Sequence, residues 1–200
     1  MQITLNDVSY SYPGSTQTVL DGVRAVFPVG WTGIIGNNGC GKSTLARIAT
    51  GMLAPDSGTV SPRGLVVAYC EQDATIPPDR LEDFACSWEQ AAVRLRVDLG
   101  VDDDWLWRYD TLSSGQQKRL QVAVALWENP DVLVMDEPTN HVDVLTRRAI
   151  LRALAGYRGV GLLISHDREL LDALAGQCLC FEGARVVMRP GGYTQAGEQA

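Results

Sequence analysis

The stretch Gly36-Asn37-Asn38-Gly39-Cys40-Gly41-Lys42-Ser43-Thr44 constrains this chain more than any other, because it meets the pattern G-x-x-x-x-G-K-[ST] at every fixed position. It follows Trp31-Thr32-Gly33-Ile34-Ile35, an apolar run that reads as a short buried strand. It opens onto Thr44-Leu45-Ala46-Arg47-Ile48-Ala49, which reads as the first turns of a helix. Strand, loop and helix in that order are the context in which the pattern forms a phosphate cradle. Gly36, Gly39 and Gly41 let the backbone turn with its N–H groups inward, and a helix starting near Lys42 adds its positive end. Lys42 can then reach the β- and γ-phosphates of a nucleotide, and the Ser43 hydroxyl can ligate Mg²⁺. Cys40 fills a small-residue position inside the loop, where alkylation of its thiol is expected to disturb binding.

A second group of residues complements the loop. Asp131-Val132-Leu133-Val134-Met135-Asp136-Glu137 is an apolar run closed by two acids, as expected of a buried parallel strand with carboxylates at its carboxyl end. Open α/β sheets bind ligands at that end. In a phosphate-loop protein Asp136 can hold Mg²⁺ through water, and Glu137 can orient or deprotonate a water that attacks the γ-phosphate. Gly159 to Ser165 reads as another buried strand, delivering His166 and Asp167 to the same edge. Gln72 lies just past a strand over Gly64 to Tyr69 and can reach toward metal and water. Tyr12, on the turn Ser11-Tyr12-Pro13-Gly14, can stack on a base or merely cover a sheet edge. Leu112-Ser113-Ser114-Gly115-Gln116 precedes a long apolar-periodic helix, with Ser113 or Ser114 as its N-cap.

The remaining segments read more coarsely. Residues 2–9 alternate as a strand, and a second strand pair is expected around Val23 to Pro28, turning at Val29-Gly30. Leu81, Phe84, Ala85, Trp88, Ala91 and Leu95 recur at three and four, which predicts one amphipathic helix from Asp79 to Val97. Asp102-Asp103-Asp104 suits the start of a short helix better than a metal site. A helix over Glu169 to Ala175 and a hairpin around Gly183, with strands Cys178 to Glu182 and Ala184 to Met188, complete the chain.

Composition bounds the function. A net charge of -7 argues against gripping nucleic acid with the whole surface, which needs clustered Lys and Arg. No apolar run approaches the roughly 20 residues that span a bilayer, and the first residues lack a signal-peptide pattern, so the expected compartment is the cytoplasm. Five cysteines without C-x-x-C spacing suggest neither a disulfide framework nor a zinc site.

Taken in order, the motifs resemble the ATP-binding-cassette ATPase domain over nearly the whole chain. Leu112-Ser113-Ser114-Gly115-Gln116 shortly before Asp131 to Asn140 is the specific pair, although Ser114 stands where the family usually has glycine. The resemblance implies an α/β fold: a phosphate-loop NTPase core with a mixed sheet flanked by helices, an antiparallel β subdomain and a small inserted helical subdomain. It divides the chain into a first part of the core at 1–76, the helical subdomain with the signature at 77–128, and a second part of the core at 129–200. It implies that Tyr12 stacks on adenine, that Gly36 to Thr44 hold the phosphates, and that Ser43, Gln72 and Asp136 manage Mg²⁺. Glu137 becomes the catalytic carboxylate and His166 the γ-phosphate contact. Ser113, Ser114, Gly115 and Gln116 complete the ATP site of an opposing cassette, and Asp143 belongs to the loop that communicates across that dimer.

A finer resemblance is to the ABC-F subfamily, carried by Thr139-Asn140-His141-Val142-Asp143, Ser165-His166-Asp167-Arg168 and Pro190-Gly191-Gly192-Tyr193. It implies a second cassette as partner, either another copy of this chain or a domain beyond it, and action on the ribosome as a translation factor or an antibiotic-protection protein. The alternative is the nucleotide-binding subunit of a membrane transporter, whose partner is a membrane protein.

Overall fold

The computed structural model describes residues 1–140, 142–183 and 185–198. The strands are β1 (Gln2–Ser11), β2 (Thr18–Pro28), β3 (Gly30–Ile35), β4 (Ser57–Ser61), β5 (Val67–Cys70), β6 (Val132–Asp136), β7 (Val160–Ile164), β8 (Ala175–Glu182) and β9 (Arg185–Pro190). The helices are α1 (Lys42–Ala49), α2 (Leu81–Cys86), α3 (Gln90–Leu99), α4 (Ser114–Trp127), α5 (Val144–Ala155), α6 (Arg168–Leu174) and α7 (Tyr193–Gly197). Two short 3-10 turns, Asp103–Trp107 and Tyr109–Thr111, lead into α4.

The strands form two sheets. Six of them run in the order β5-β6-β7-β3-β8-β9, parallel except for the antiparallel edge strand β9. Three form a separate antiparallel sheet, β2-β1-β4. The period of two along a strand divides the core. Val132 and Val134 of β6, with Val160, Leu162 and Ile164 of β7, face a cluster shared with the antiparallel sheet and with Leu45 and Ile48 of α1. Leu133, Met135 and Leu163 face the opposite cluster, built with α4, α5 and α6. Asp136 has the parity of Val132 and Val134, so the sheet places it on the side where α1 begins.

The expected fold class is the one observed, with local corrections. The strand expected around Val23 to Pro28 begins at Thr18 and pairs with β1. Val29 is then the passage from one sheet to the other. The strand expected over Gly64 to Tyr69 is confined to Val67–Cys70. The single helix expected from Asp79 to Val97 is broken into α2 and α3. The cause is Arg96 of α3, whose buried guanidinium donates to Phe84 O (2.9 Å), Ala85 O (3.4 Å) and Ser87 O (2.7 Å). Those contacts satisfy the open carbonyls at the end of α2 from outside the helix. Trp88, counted above in the apolar stripe, lies in the break and is 81% exposed. The 102–104 acids precede and enter a 3-10 turn, and the tail adds α7. His141 of the Thr139 to Asp143 motif, and Ala184 at the start of the expected last strand, lie outside the described residues.

Between β3 and β7 the register sets Trp31 against Gly161. The buried indole donates from Nε1 to Leu154 O at 3.0 Å, and a Cβ on Gly161 would lie 2.4 Å from the ring. Gly161→Ala is expected to push the ring from its place and lower stability by about 1–3 kcal/mol, the usual cost of overpacking. Gly176→Ala, with open space at its Cβ, is expected to change stability by less than about 1 kcal/mol. Urea unfolding of both variants checks the contrast.

Candidate functional site

The site begins where β3 ends. Gly36 is required by packing, since a Cβ there would lie 2.7 Å from both Cys40 Sγ and Phe181 Cβ. At Gly41 the backbone takes φ +108°, left-handed territory that favours glycine, as the chain enters α1. Lys42 is buried, and its ammonium closes the loop from within by donating to Gly36 O and Asn37 O, both at 2.9 Å. An ammonium carries three donors, so one remains for an incoming anion. Tyr12 stands edge-on to Tyr10, and its hydroxyl is hydrogen-bonded to Thr44 Oγ1 at 2.8 Å, which ties the ring to the first turn of α1.

The carboxyl ends of β6 and β7 supply the acids. Asp136 Oδ2 accepts from Ser43 Oγ at 2.7 Å and from the Tyr69 hydroxyl at 3.1 Å. Glu137 continues the ladder by donating its N–H to Ile164 O at 2.8 Å, but takes φ +48°, rare for a residue with a side chain. That turn aims its carboxylate across the sheet edge, where Oε2 accepts from His166 N at 3.3 Å. Burial pushes the Glu137 pKa up, partly opposed by the His166 amide and ring. His166 Nε2 lies 3.6 Å from Glu137 Oε1 and 3.0 Å from Asn38 Oδ1. The imidazole therefore bridges the acid and the loop.

One cleft of about 500 Å³ is lined by Tyr12, Asn38, Gly39, Gly41, Lys42, Ser43, Thr44, Gln72, Asp136 and Glu137, while His166 stands behind Asn38 and Glu137 and does not line it. Its chemistry is that of a phosphate site: an ammonium and a helix start for anionic oxygens, and a paired hydroxyl and carboxylate for a hard cation. A carboxylate with a raised pKa stands beside them to take a proton. Gln17 and Val19, upstream of the strand expected at Val23 to Pro28, also line it.

Ser113 to Gln116 do not reach this cleft. Ser113 caps α4 in a reciprocal box, with Ser113 Oγ accepting from Gln116 N (3.4 Å) and Gln116 Oε1 accepting from Ser113 N (2.9 Å). The helix end with Ser113 and Ser114 is exposed. Its neighbour is Asp143, whose Oδ2 would lie 3.9 Å from a Cβ on Gly115. Asp143 caps α5 by accepting from Leu145 N, Thr146 N and Thr146 Oγ1, and these bonds hold its pKa low. One end of the molecule thus carries the cradle, and a separate exposed patch carries the signature and Asp143.

Sequence reasoning missed the residues that brace the site. Tyr69 holds Asp136, and Lys118 of α4 donates to the carbonyls of Glu71 and Gln72; Asn38, expected only as a loop residue around the phosphates, also holds His166. Asp167, noted only as a neighbour of His166, accepts from Thr139 Oγ1 at 2.9 Å and from Arg147. Only strand parity could have pointed to one of them, Tyr69. The others depend on contacts between distant segments.

Comparison with known proteins gives the family. The family model described as ABC transporter matches residues 25–140, more than half of the chain. ATP-binding protein Uup of Escherichia coli is 34% identical over 98% of this chain and 33% of its own length. Ribosome protection protein VmlR of Bacillus subtilis is 33% identical over 96% of this chain and 33% of its own. The chain thus spans about a third of the length of these relatives. A solved structure titled as the ATP binding subunit of an ABC transporter superposes with a TM-score of 0.77 at 21% identity, covering 95% of this chain and 90% of that one, which establishes the fold. No helix among the described residues is long and apolar enough to cross a membrane. The chain belongs to the ATP-binding-cassette ATPases, and its cassette is most like those of the ABC-F subfamily.

Proposed function

We propose that this chain is one cassette of an ABC-F ATPase, which binds ATP in the 500 Å³ cleft, closes on a second cassette around two nucleotides, and transmits opening and closing to the ribosome. The observation that carries the reading is the convergence of Lys42, Ser43, Asp136 and Glu137 on that cleft while the exposed α4 N-terminus takes no part in lining it. A cradle without its own signature helix is half of a site. A second cassette supplies the other half.

In this reading Lys42 gives its free donor to the phosphates, and the loop amides with the α1 start hold the remaining oxygens. Ser43 Oγ and Asp136, 2.7 Å apart, are the hard oxygen donors that would hold Mg²⁺, Asp136 through water, with Gln72 at the cleft wall. Mg²⁺ there would supply charge neutralisation between the β- and γ-phosphates. Glu137 takes the proton of the attacking water, a task its raised pKa suits. His166, fixed between Glu137 and Asn38, contacts the γ-phosphate, and Tyr12 stacks on adenine. Ser113, Ser114, Gly115 and Gln116 present the α4 start to the partner cassette's nucleotide, with the N–H groups of Ser114 and Gly115 outside the Ser113–Gln116 box. Asp143 sits beside them at the joint. The ribosome as target is supported by the relative named a ribosome protection protein, and a cytoplasmic location goes with it.

Glu137→Gln is expected to lower phosphate release by about 10²–10⁴, the usual worth of general-base help, while a fluorescent ATP analogue still binds within threefold of wild type. Equal turnover in both proteins would remove Glu137 from the reaction.

The same variant should accumulate in the closed, ATP-bound form. With Mg-ATP it is expected to elute as a dimer and to co-sediment with ribosomes more than without nucleotide. Recovery no greater than that of an unrelated protein of equal negative charge counts against the ribosome; elution as a monomer at high concentration counts against self-pairing.

A further inference from the structure

Lys118 is a buried ammonium that the reaction outlined above does not use. It sits one turn inside α4, with only 3% of its surface exposed. Its three N–H groups are all spent, on Glu71 O (2.7 Å), Gln72 O (3.0 Å) and the Gln121 side-chain oxygen (2.8 Å). No carboxylate pairs with it among the described residues. Burial pulls its pKa down. A cation kept in such a place at a desolvation cost, with only carbonyls and an amide to hold, acts through geometry.

What it holds is the point at which several parts of the cleft meet. Along residues 69–72 successive positions reach different elements. The Tyr69 hydroxyl donates to Asp136. The Cys70 thiol points to Gln121 O at 3.8 Å. The Glu71 carboxylate takes both its bonds, each at 3.0 Å, from Arg47 of α1. The Glu71 and Gln72 carbonyls take theirs from Lys118. Residues 69–72 therefore touch the cation-site carboxylate and the loop helix on one side and α4 on the other. By the rise of a helix, Lys118 stands only about 7 Å along the axis from the Ser113 cap.

We propose that Lys118 is a positioning residue that ties the exposed N-terminus of α4 to residues 71–72, so that filling the cleft changes the presentation of Ser113 to Gln116. The inference rests on the proposed function, because it assumes that ATP enters the cleft. A plain structural staple would hold α4 equally well with the cleft empty or full. A coupling residue makes the α4 end respond to nucleotide.

The test is amide hydrogen exchange on the full chain, monomeric at low concentration, with and without Mg²⁺ and a non-hydrolysable ATP analogue. Nucleotide affinity is measured in parallel. In the wild type, exchange in the peptide covering 113–119 is expected to slow by about threefold or more on binding. In Lys118→Met the analogue should bind within threefold of wild type, but the response at 113–119 should vanish. Lys118→Arg, which can still donate to carbonyls, should restore part of it. Leu120→Ala, which loosens the same helix by a core cavity, should lower thermal stability yet keep the response. If Lys118→Met does not fold, Lys118→Gln takes its place, with the same loss expected. A wild type that binds the analogue without a change at 113–119, or a Lys118→Met protein that keeps the change, overturns the role of Lys118 alone. A wild type that fails to bind any analogue overturns the ATPase reading, and the inference with it.

Discussion

One buried oxygen atom, Oδ2 of Asp136, joins three elements that are far apart in the chain. It belongs to the end of β6, and it accepts from Ser43 at the start of α1 and from Tyr69 on β5. A carboxylate at 6% exposure would be costly if left without partners. Here two hydroxyl donors compensate it, and the compensation fixes where α1 starts relative to the sheet. The phosphate loop must then close the gap between β3 and α1, and its short span forces the glycines and the inward ammonium. The strand order β6-β7-β3 leaves β7 between the loop strand and Asp136. The end of β7 therefore brings His166 between Glu137 and Asn38.

The two halves of the core explain how this edge can be polar without loosening the fold. Both faces of β6 and β7 are buried along their whole length, one against α1 and the antiparallel sheet, the other against α4, α5 and α6. Near-continuous apolar strands of this kind need helices on both sides. That leaves the carboxyl ends as the place where the backbone escapes burial. Glu137 uses that freedom in a left-handed turn, a conformation that costs about 1–2 kcal/mol away from glycine. The neighbouring ladder bond to Ile164 O holds it there.

The parts of this architecture that were legible in the sequence share a cause. The loop glycines, Lys42 and Ser43, the two acids after an apolar run, and Ser113 with Gln116 three residues on are local devices whose spacing carries the chemistry. Strand parity groups Asp136 with Val132 and Val134, and the fold turns that face toward α1. The parts that were not legible depend on a distant partner. Nothing in Asp79 to Val97 marks the break after Cys86, because the break is made by Arg96 reaching back to three carbonyls. Trp88 fits a helical stripe by spacing and is exposed in fact. Lys118 belongs to no motif that the spacing singles out, and it is buried. Arginine and lysine are the residues whose role spacing predicts worst, since long side chains can lay their charge on backbone several turns away.

Electrostatics adds a condition on pairing. Two copies of this chain each carry a net charge of -7, so their approach is opposed beyond the cleft itself. At physiological salt the Debye length is about 8 Å, which screens most of that repulsion but not the part at a closed joint, where in the proposed pairing two triphosphates would add further negative charge. In the proposed pairing Lys42, the helix starts of α1 and α4, and a cation on Ser43 and Asp136 would offset it. If the chain pairs as proposed, such an interface would be favourable with nucleotide and cation in place and unfavourable once phosphate leaves. A cassette tethered on the same polypeptide would meet its partner at an effective concentration in the millimolar range. Separate copies lack that advantage. On the proposed function, a joint that is weaker without nucleotide would open more completely after hydrolysis and leave a larger movement available for work.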